Sequence, residues 1–178
     1  MDRKKVLIVD GYNVIRNNRR YAGLGVDFES SSTWNKAREA VINDAALMAN
    51  GAFEHCTVVF DGGGNPNSKG IPTKAAGIDV VFSPAGTSAD TVIERLAHDA
   101  REKGFEVMVV SSDFTIQSTV FGGGVTRMSS AGFASTGEEL ESEWREDNPC
   151  GNAKSTVASR INSDVAAKLQ AFVRGGSL

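Results

Sequence analysis

The chain has 178 residues, of which 40% are apolar and 23% charged, and its formal net charge is −3. This length fits one domain with a sizeable core, since domains usually hold about 100 to 200 residues. The negative net charge argues against a uniformly basic nucleic-acid-binding surface, and no apolar run approaches the roughly 18 residues of a membrane span. With neither cysteine in a paired metal motif and no secretory signal pattern, we expect a cytoplasmic protein with free thiols.

The first predicted element is a buried strand that ends in a carboxylate. Val6–Val9 are four apolar, mostly β-branched residues without alternation, and Asp10 follows them. Such a run is typical of a strand buried on both faces. Residues 15–32 are polar and contain two glycines, which predicts an irregular loop beside this strand end.

Residues 34–50 and 56–60 predict a helix followed by a second strand. Apolar residues recur at helical spacing over 34–48, and Asn50-Gly51 ends the pattern. The strand Cys56–Phe60 runs into Asp61 and a glycine-rich loop over residues 62–70. This loop is not a Walker loop, because Lys69 is not followed by a hydroxyl residue and a helix. A mobile, slightly basic substrate flap and a plain solvent loop are both open readings.

A third strand and a second helix follow. The strand covers Ile78–Phe82, and residues 87–103 predict a helix capped by Thr87 or Ser88. Asp90 lies in the first turn of this helix, and Glu94 lies four residues later on the same face. The helix macrodipole favours an acidic residue in the first turn, which accounts for Asp90 but not for Glu94.

The rest of the chain predicts two more strands and a helical tail. Residues 105–110 form a strand that ends in Ser111-Ser112-Asp113, residues 114–121 a short helix, and residues 125–129 a fifth strand. Residues 137–147 predict an acidic helix, and residues 155–173 an amphipathic helix after a linker. We therefore expect a main domain over residues 1–135, with residues 136–178 packed on it.

Three predicted strands end in an aspartate, namely Asp10, Asp61 and Asp113. In a parallel sheet these ends share one edge, where open α/β sheets bind ligands. Aspartate is also a common strand terminator and helix cap, but that reading accounts better for one such residue than for three. If Asp10, Asp90 and Asp113 meet there, with Glu94 nearby, their negative charges repel one another. A hard divalent cation, Mg²⁺ or Mn²⁺, would compensate this repulsion.

A hard cation at a carboxylate site suits the hydrolysis of a phosphodiester. Asn13, three residues after Asp10, is placed to position a water molecule or a phosphate. A further set of residues is predicted to contact the backbone of the polymer that carries the phosphodiester. This set is Arg16, Arg19, Arg20, Lys69, Arg127 and Ser130.

The motifs together resemble the YacP-type NYN-domain nucleases, a branch of the PIN-like superfamily. The resemblance runs in order through Val6–Asn13, Thr87–Asp90 with Glu94, Ser111–Asp113 and Arg127–Ser130. It implies a three-layer α/β/α sandwich with a mostly parallel sheet of about five strands, and an endoribonuclease dependent on Mg²⁺ or Mn²⁺. For bacterial members it also implies action on messenger RNA at the ribosome. By the same resemblance Asp10, Asp90 and Asp113 are metal-binding carboxylates, Asn13 is their companion amide, and Glu94 is a further acid.

Other readings are weaker or remain open. A receiver domain needs a second acid beside Asp10, where Gly11 stands, and a haloacid-dehalogenase phosphatase needs an aspartate in place of Tyr12. A PIN-like module that binds RNA or ribosomes without cutting is the main alternative, although the complete acid set favours catalysis. Residues 15–32, 62–64 and 131–134 depart from the family pattern, which affects recognition of RNA more than the metal site. The oligomeric state stays open.

Overall fold

The computed structural model describes residues 4–24, 34–63, 65–113 and 124–147. The strands are β1 (Lys5–Asp10), β2 (His55–Phe60), β3 (Thr73–Ala75), β4 (Ile78–Phe82), β5 (Glu106–Val110) and β6 (Val125–Met128). The helices are α1 (Gly11–Asn17), α2 (Arg19–Ala22), α3 (Asn35–Ala49), α4 (Ala89–Glu102) and α5 (Ser130–Asp147). The chain divides into two compact units, residues 1–144 and 145–178, and the second is described only at residues 145–147.

The sheet is mostly parallel, and β1 lies in its interior. The strand order is β3-β4-β2-β1-β5-β6, and only β3 runs antiparallel to its neighbour. A strand in this position is covered on both faces, which is why β1 has a continuous apolar run rather than an alternating one. The parallel arrangement brings the carboxyl ends of β1, β2, β4, β5 and β6 to one edge.

Helices cover both faces of the sheet and make three layers. Leu7 and Val9 belong to a core with buried residues of α1, α2, α3 and α5. Val6 and Ile8 belong to a second core with buried residues of α4. Successive side chains of a strand point to opposite faces, so one strand serves both cores. The predicted α/β class and three-layer arrangement are confirmed.

The loop expected over residues 15–32 is wrong for residues 15–17 and 19–22, which are helical. Both short helices begin at a side-chain cap: Asp10 accepts a hydrogen bond from the Asn13 amide at 3.1 Å, and Asn18 accepts one from the Arg20 amide at 2.9 Å. The helices bury Ile15 and Tyr21 completely. Caps and tertiary burial therefore outweigh the polar composition. Residues 25–32 of the expected loop lie outside the described residues.

Two further elements differ from the prediction: one short strand was not predicted, and one helix begins earlier than expected. The sequence did not predict β3, a three-residue strand joined to β4 by a tight turn in which Ala76 and Gly77 have positive φ values of 50° and 82°. Helix α5 begins at Ser130, not at residue 137, and it buries Phe133 and Ala134 in its first turns. The helices expected over residues 114–121 and 155–173, and the packing of the tail, lie outside the described residues.

The other expected elements are confirmed to within about one residue at most ends. They are the four strands β2, β4, β5 and β6 and the helices α3 and α4. Among the helices of the described segments, none has the length and apolarity of a membrane span.

Candidate active site

Asp10 lies at the junction of β1 and α1 and is only 7% exposed. Its Oδ1 accepts the hydrogen bond from the Asn13 amide at 3.1 Å, and its Oδ2 accepts one from the Ser111 hydroxyl at 3.5 Å. A β-carbon on Gly11 would stand 2.2 Å from the Phe60 ring, so the turn requires glycine. The carboxylate is therefore fixed by packing and by two donors.

Burial raises the pKa of Asp10 to about 6. The hydrogen bond from Asn13 opposes this shift, and the charges of Asp90 and Asp113 add to it. A buried carboxylate beside other acids is costly in its charged form. A nearby positive charge would therefore stabilise the ionised form of Asp10.

Asp90 lies in the first turn of α4, where the Ser88 hydroxyl caps the helix. Its pKa is also raised, mainly by burial, and then by the charges of Asp113, Glu94 and Asp61. Asp10, Asp90 and Asp113 therefore act on one another across the edge of the sheet. The structure brings together the four acids predicted for the site, and Asp61, the other aspartate expected at this edge, also acts on Asp90.

Asp90 lies within electrostatic reach of each of the other four acids, but the five do not form a ready-made coordination sphere. Within the segments that the structure describes, no three His, Cys, Asp or Glu side chains are grouped closely enough to hold a metal ion. The donor chemistry nevertheless fits a hard divalent cation, because every donor is a carboxylate oxygen and the buried one has a raised pKa. Asp10, Asp90 and Asp113 are the residues that fit such an ion.

The Asn13 side chain lies beside the group of acids at the sheet edge, here called the acidic crevice. It is held by the segment that follows β5 and by the first residue of α5. Its Oδ1 accepts hydrogen bonds from the Ser112 amide and from the Ser130 hydroxyl, both at 2.8 Å. The Ser112 hydroxyl in turn accepts one from the Ser130 amide at 3.0 Å. Two donors to one oxygen fix which way the Asn13 amide faces. Ser130 has no exposed surface, so it fits a positioning role and not the direct RNA contact expected from the sequence.

The predicted RNA-binding cations fall into two groups. Arg20 is bound in an ion-pair network, with its Nε 3.1 Å from Asp44 Oδ2 and its Nη2 2.8 Å from Glu141 Oε2. This arrangement fits a structural role for Arg20, and its contact with RNA stays a prediction. The remaining four are exposed: Arg16, Arg19, Lys69 and Arg127.

The glycine-rich loop after β2 is tied to the turn between β4 and α4. The Gly62 amide donates to the Ser83 hydroxyl at 2.9 Å, and the Ser68 hydroxyl donates to the Ser83 carbonyl at 2.7 Å. The Ala85 amide donates to the Ser68 carbonyl at 3.0 Å. Ser83 is fully buried between these contacts. This network does not fit the mobile flap and favours an anchored loop.

Sequence reasoning missed a group of aromatic side chains beside the acids. The rings of Phe60 and Phe82 stack with their centroids 5.4 Å apart, and the Tyr12 ring lies 5.1 Å from that of Phe60. The Tyr12 hydroxyl accepts a hydrogen bond from Arg38 Nη1 at 2.7 Å. The available signal was that Phe60 and Phe82 are the last residues of two adjacent parallel strands.

Comparison with known proteins identifies the family. Residues 7–174 match the family model described as the YacP-like NYN domain. The chain belongs to this family. A Bacillus subtilis protein named YacP is 29% identical over 126 residues, which span 70% of this chain and 69% of that relative.

Solved structures of Rae1 (YacP) from Bacillus subtilis resemble this chain over nearly its full length. One is 25% identical with a TM-score of 0.63 and covers 98% of this chain and 96% of that chain. A mutant of that protein gives a TM-score of 0.64 at 22% identity and covers 94% of this chain and 99% of that chain. These matches support the α/β fold expected from the sequence. Membership of the family supports a nuclease-type function on RNA.

The raised pKa of Asp10 predicts a pH-dependent stability difference in the metal-free protein. The folded-state pKa of Asp10, about 6, exceeds the ordinary value of 3.8. Ionisation of Asp10 therefore lowers the free energy of unfolding progressively as the pH rises from about 4 to about 6, and the full loss is present at higher pH. We expect Asp10→Asn to raise the free energy of unfolding by up to about 3 kcal/mol at pH 8 and by little at pH 4. Urea denaturation in chelator at both pH values measures this. An equal difference at the two pH values would contradict it.

Proposed function

We propose that this protein is a divalent-metal-dependent endoribonuclease that acts in the cytoplasm. The observation that carries the proposal is the repulsion among three aspartates from separate parts of the chain. The charges of Asp90 and Asp113 raise the pKa of Asp10, and the charge of Asp113 raises the pKa of Asp90. A folded protein keeps such repulsion at a cost, and sites with perturbed carboxylates are frequently functional. The carboxyl edge of the sheet is also where open α/β folds place their ligands.

In this proposal Asp10, Asp90 and Asp113 hold the ion. When bound, Mg²⁺ or Mn²⁺ would stabilise negative charge on the phosphate and favour ionisation of an attacking water molecule. Glu94 lies on the same face of α4 as Asp90, close enough for its charge to raise the pKa of Asp90, and it serves as a further acid. Asn13 orients a water molecule or a phosphate oxygen, because its carbonyl is fixed by Ser112 and Ser130.

The cations that remain exposed supply the contacts with the RNA backbone. Arg127 lies at the same edge as the acids, where its Nε donates to the Ser111 carbonyl at 3.5 Å. Arg16 and Arg19 extend from the short helices that follow Asp10, and Lys69 lies in the anchored loop. Phosphate contacts of this kind orient a nucleic acid without reading its sequence. Messenger RNA at the ribosome is the substrate that the family resemblance implies.

Cleavage of a circular single-stranded RNA tests the proposal, because a circle has no ends and only an endonuclease can open it. We expect the full chain to linearise the circle with Mg²⁺ or Mn²⁺ and to leave it intact in chelator. Binding of the circle without cleavage under both conditions would favour the non-catalytic RNA-binding module. Cleavage at equal rates in chelator would contradict metal dependence.

A further inference from the structure

An aromatic patch borders the acidic crevice at the carboxyl edge of the sheet. It consists of Tyr12, Trp34, Phe60 and Phe82, with ring centroids 4.8 to 5.4 Å apart between neighbours. Trp34 and Phe60 are buried, whereas Phe82 is 37% exposed. Phe82 therefore presents part of an aromatic ring to solvent at the carboxyl edge of the sheet, in contact with other aromatic rings.

Two guanidinium groups lie against this patch. The Arg38 Cζ is 5.8 Å from the Phe82 ring centroid, and the Arg16 Cζ is 5.6 Å from that of Trp34. Arg38 is half-buried, and it is further held by hydrogen bonds to the Tyr12 hydroxyl and the Asn35 side chain. No described carboxylate forms an ion pair with Arg16 or Arg38. Both charges are therefore free of acidic partners among the described residues.

The position of the patch relative to the acids suits a chain of nucleotides. Phe60 directly precedes Asp61, and its partner in the sheet register is Phe82. Strands β4 and β1 are separated by β2, so Phe82 lies about 10 Å from the end of β1 at Asp10. A single-stranded nucleic acid with one phosphate at the acids would have a neighbouring base within reach of the aromatic patch.

We propose that Phe82 and Arg38 form a stacking site for a nucleobase of single-stranded RNA, next to the site of cleavage. The inference rests on the proposed function for its choice of RNA as ligand. The exposed part of the Phe82 ring and the planar guanidinium of Arg38 offer a flat, cationic surface. Unpaired bases stack on such surfaces, whereas bases within a duplex are covered by their neighbours. The site therefore selects single-stranded over double-stranded RNA without reading sequence.

The test uses the full chain in chelator and a short single-stranded oligouridylate that carries one 2-aminopurine. Uridines stack weakly, so the fluorescence of the free probe is high and falls when the probe stacks on the protein. We expect Phe82→Leu and Arg38→Gln each to weaken binding by roughly 10-fold and to reduce the quenching. Phe82→Tyr keeps an aromatic ring, so it should retain both. Lys36→Gln is the matched control, since Lys36 is an exposed cation on the same helix as Arg38 and should leave binding unchanged.

The outcomes separate this inference from the proposed function. Wild-type affinity and quenching in Phe82→Leu, with the thermal unfolding midpoint preserved, would overturn the stacking site while leaving cleavage of circular RNA untouched. A wild-type chain that binds no single-stranded RNA would overturn it as well. Conversely, if the patch variants lose binding but Asp10→Asn cleaves as fast as wild type, the stacking site stands and the proposed catalytic site fails.

Discussion

Replacing Asp10 or Asp90 by asparagine is expected to lower the rate of RNA cleavage by about 100-fold or more. The substitution keeps the shape of the side chain and removes one negative charge from the proposed ion site. Charged groups at a reacting centre are commonly worth factors of this size. The fold should persist, because an asparagine can still accept the hydrogen bond that Asp10 receives from the Asn13 amide. Initial rates on a labelled single-stranded RNA in Mg²⁺ measure the effect.

Asp99→Asn is the matched control for these variants. Asp99 lies on α4 like Asp90, and it is exposed, 3.6 Å from His98 Nδ1. The control removes the same charge from the same helix outside the crevice, so its rate should stay within about twofold of wild type. Equal cleavage by wild type, Asp10→Asn and Asp90→Asn would assign the activity to a contaminant or to another part of the protein.

Replacing Asp44 by alanine is expected to lower the free energy of unfolding by about 3 kcal/mol. Asp44 is 4% exposed and accepts hydrogen bonds from the Tyr21 hydroxyl at 2.7 Å and from Arg20 Nε at 3.1 Å. Its removal leaves the fully buried Tyr21 and the mostly covered Arg20 without that partner. The same carboxylate lies so close to Gly137 that a β-carbon there would stand 2.8 Å from its Oδ2. Asp44 therefore links α2, α3 and α5.

Asp79→Ala provides the comparison for Asp44→Ala. Asp79 forms an ion pair of 2.9 Å with Lys74, whose side chain is 70% exposed. Exposed pairs contribute about 0 to 1 kcal/mol, so this variant should be nearly as stable as wild type. Urea denaturation of both variants measures the two changes in the free energy of unfolding. A loss below about 1 kcal/mol in Asp44→Ala would show that α2 is held in place by other contacts.

The main strands and the acidic crevice could be predicted because their signals are local. Apolar runs that end in aspartate identified β1 and β2, and parallel pairing then required their ends to share an edge. Helix α4 could be predicted from the cap at Ser88 and its apolar spacing. The pairing of Asp90 with Glu94 followed from helical geometry alone.

What could not be predicted depends on partners far along the chain. Arg20 resembled its neighbour Arg19 in the sequence, but its partners Asp44 and Glu141 are 24 and 121 residues away. Ser130 looked like an exposed polar residue at a strand end, and only the tertiary fold places its hydroxyl against Asn13. Short helices have too few residues to show an apolar period, so α1 and α2 were hidden as well.

Binding of Mn²⁺ to the full chain, measured by isothermal titration calorimetry, tests the central claim most directly. We expect one site in the wild-type protein and at least about 10-fold weaker binding in Asp10→Asn and in Asp113→Asn, because each loses a charged oxygen ligand. The Asp99→Asn control should bind as wild type does. Identical Mn²⁺ affinity in wild type and in both crevice variants would contradict the assignment of Asp10, Asp90 and Asp113 to a shared ion.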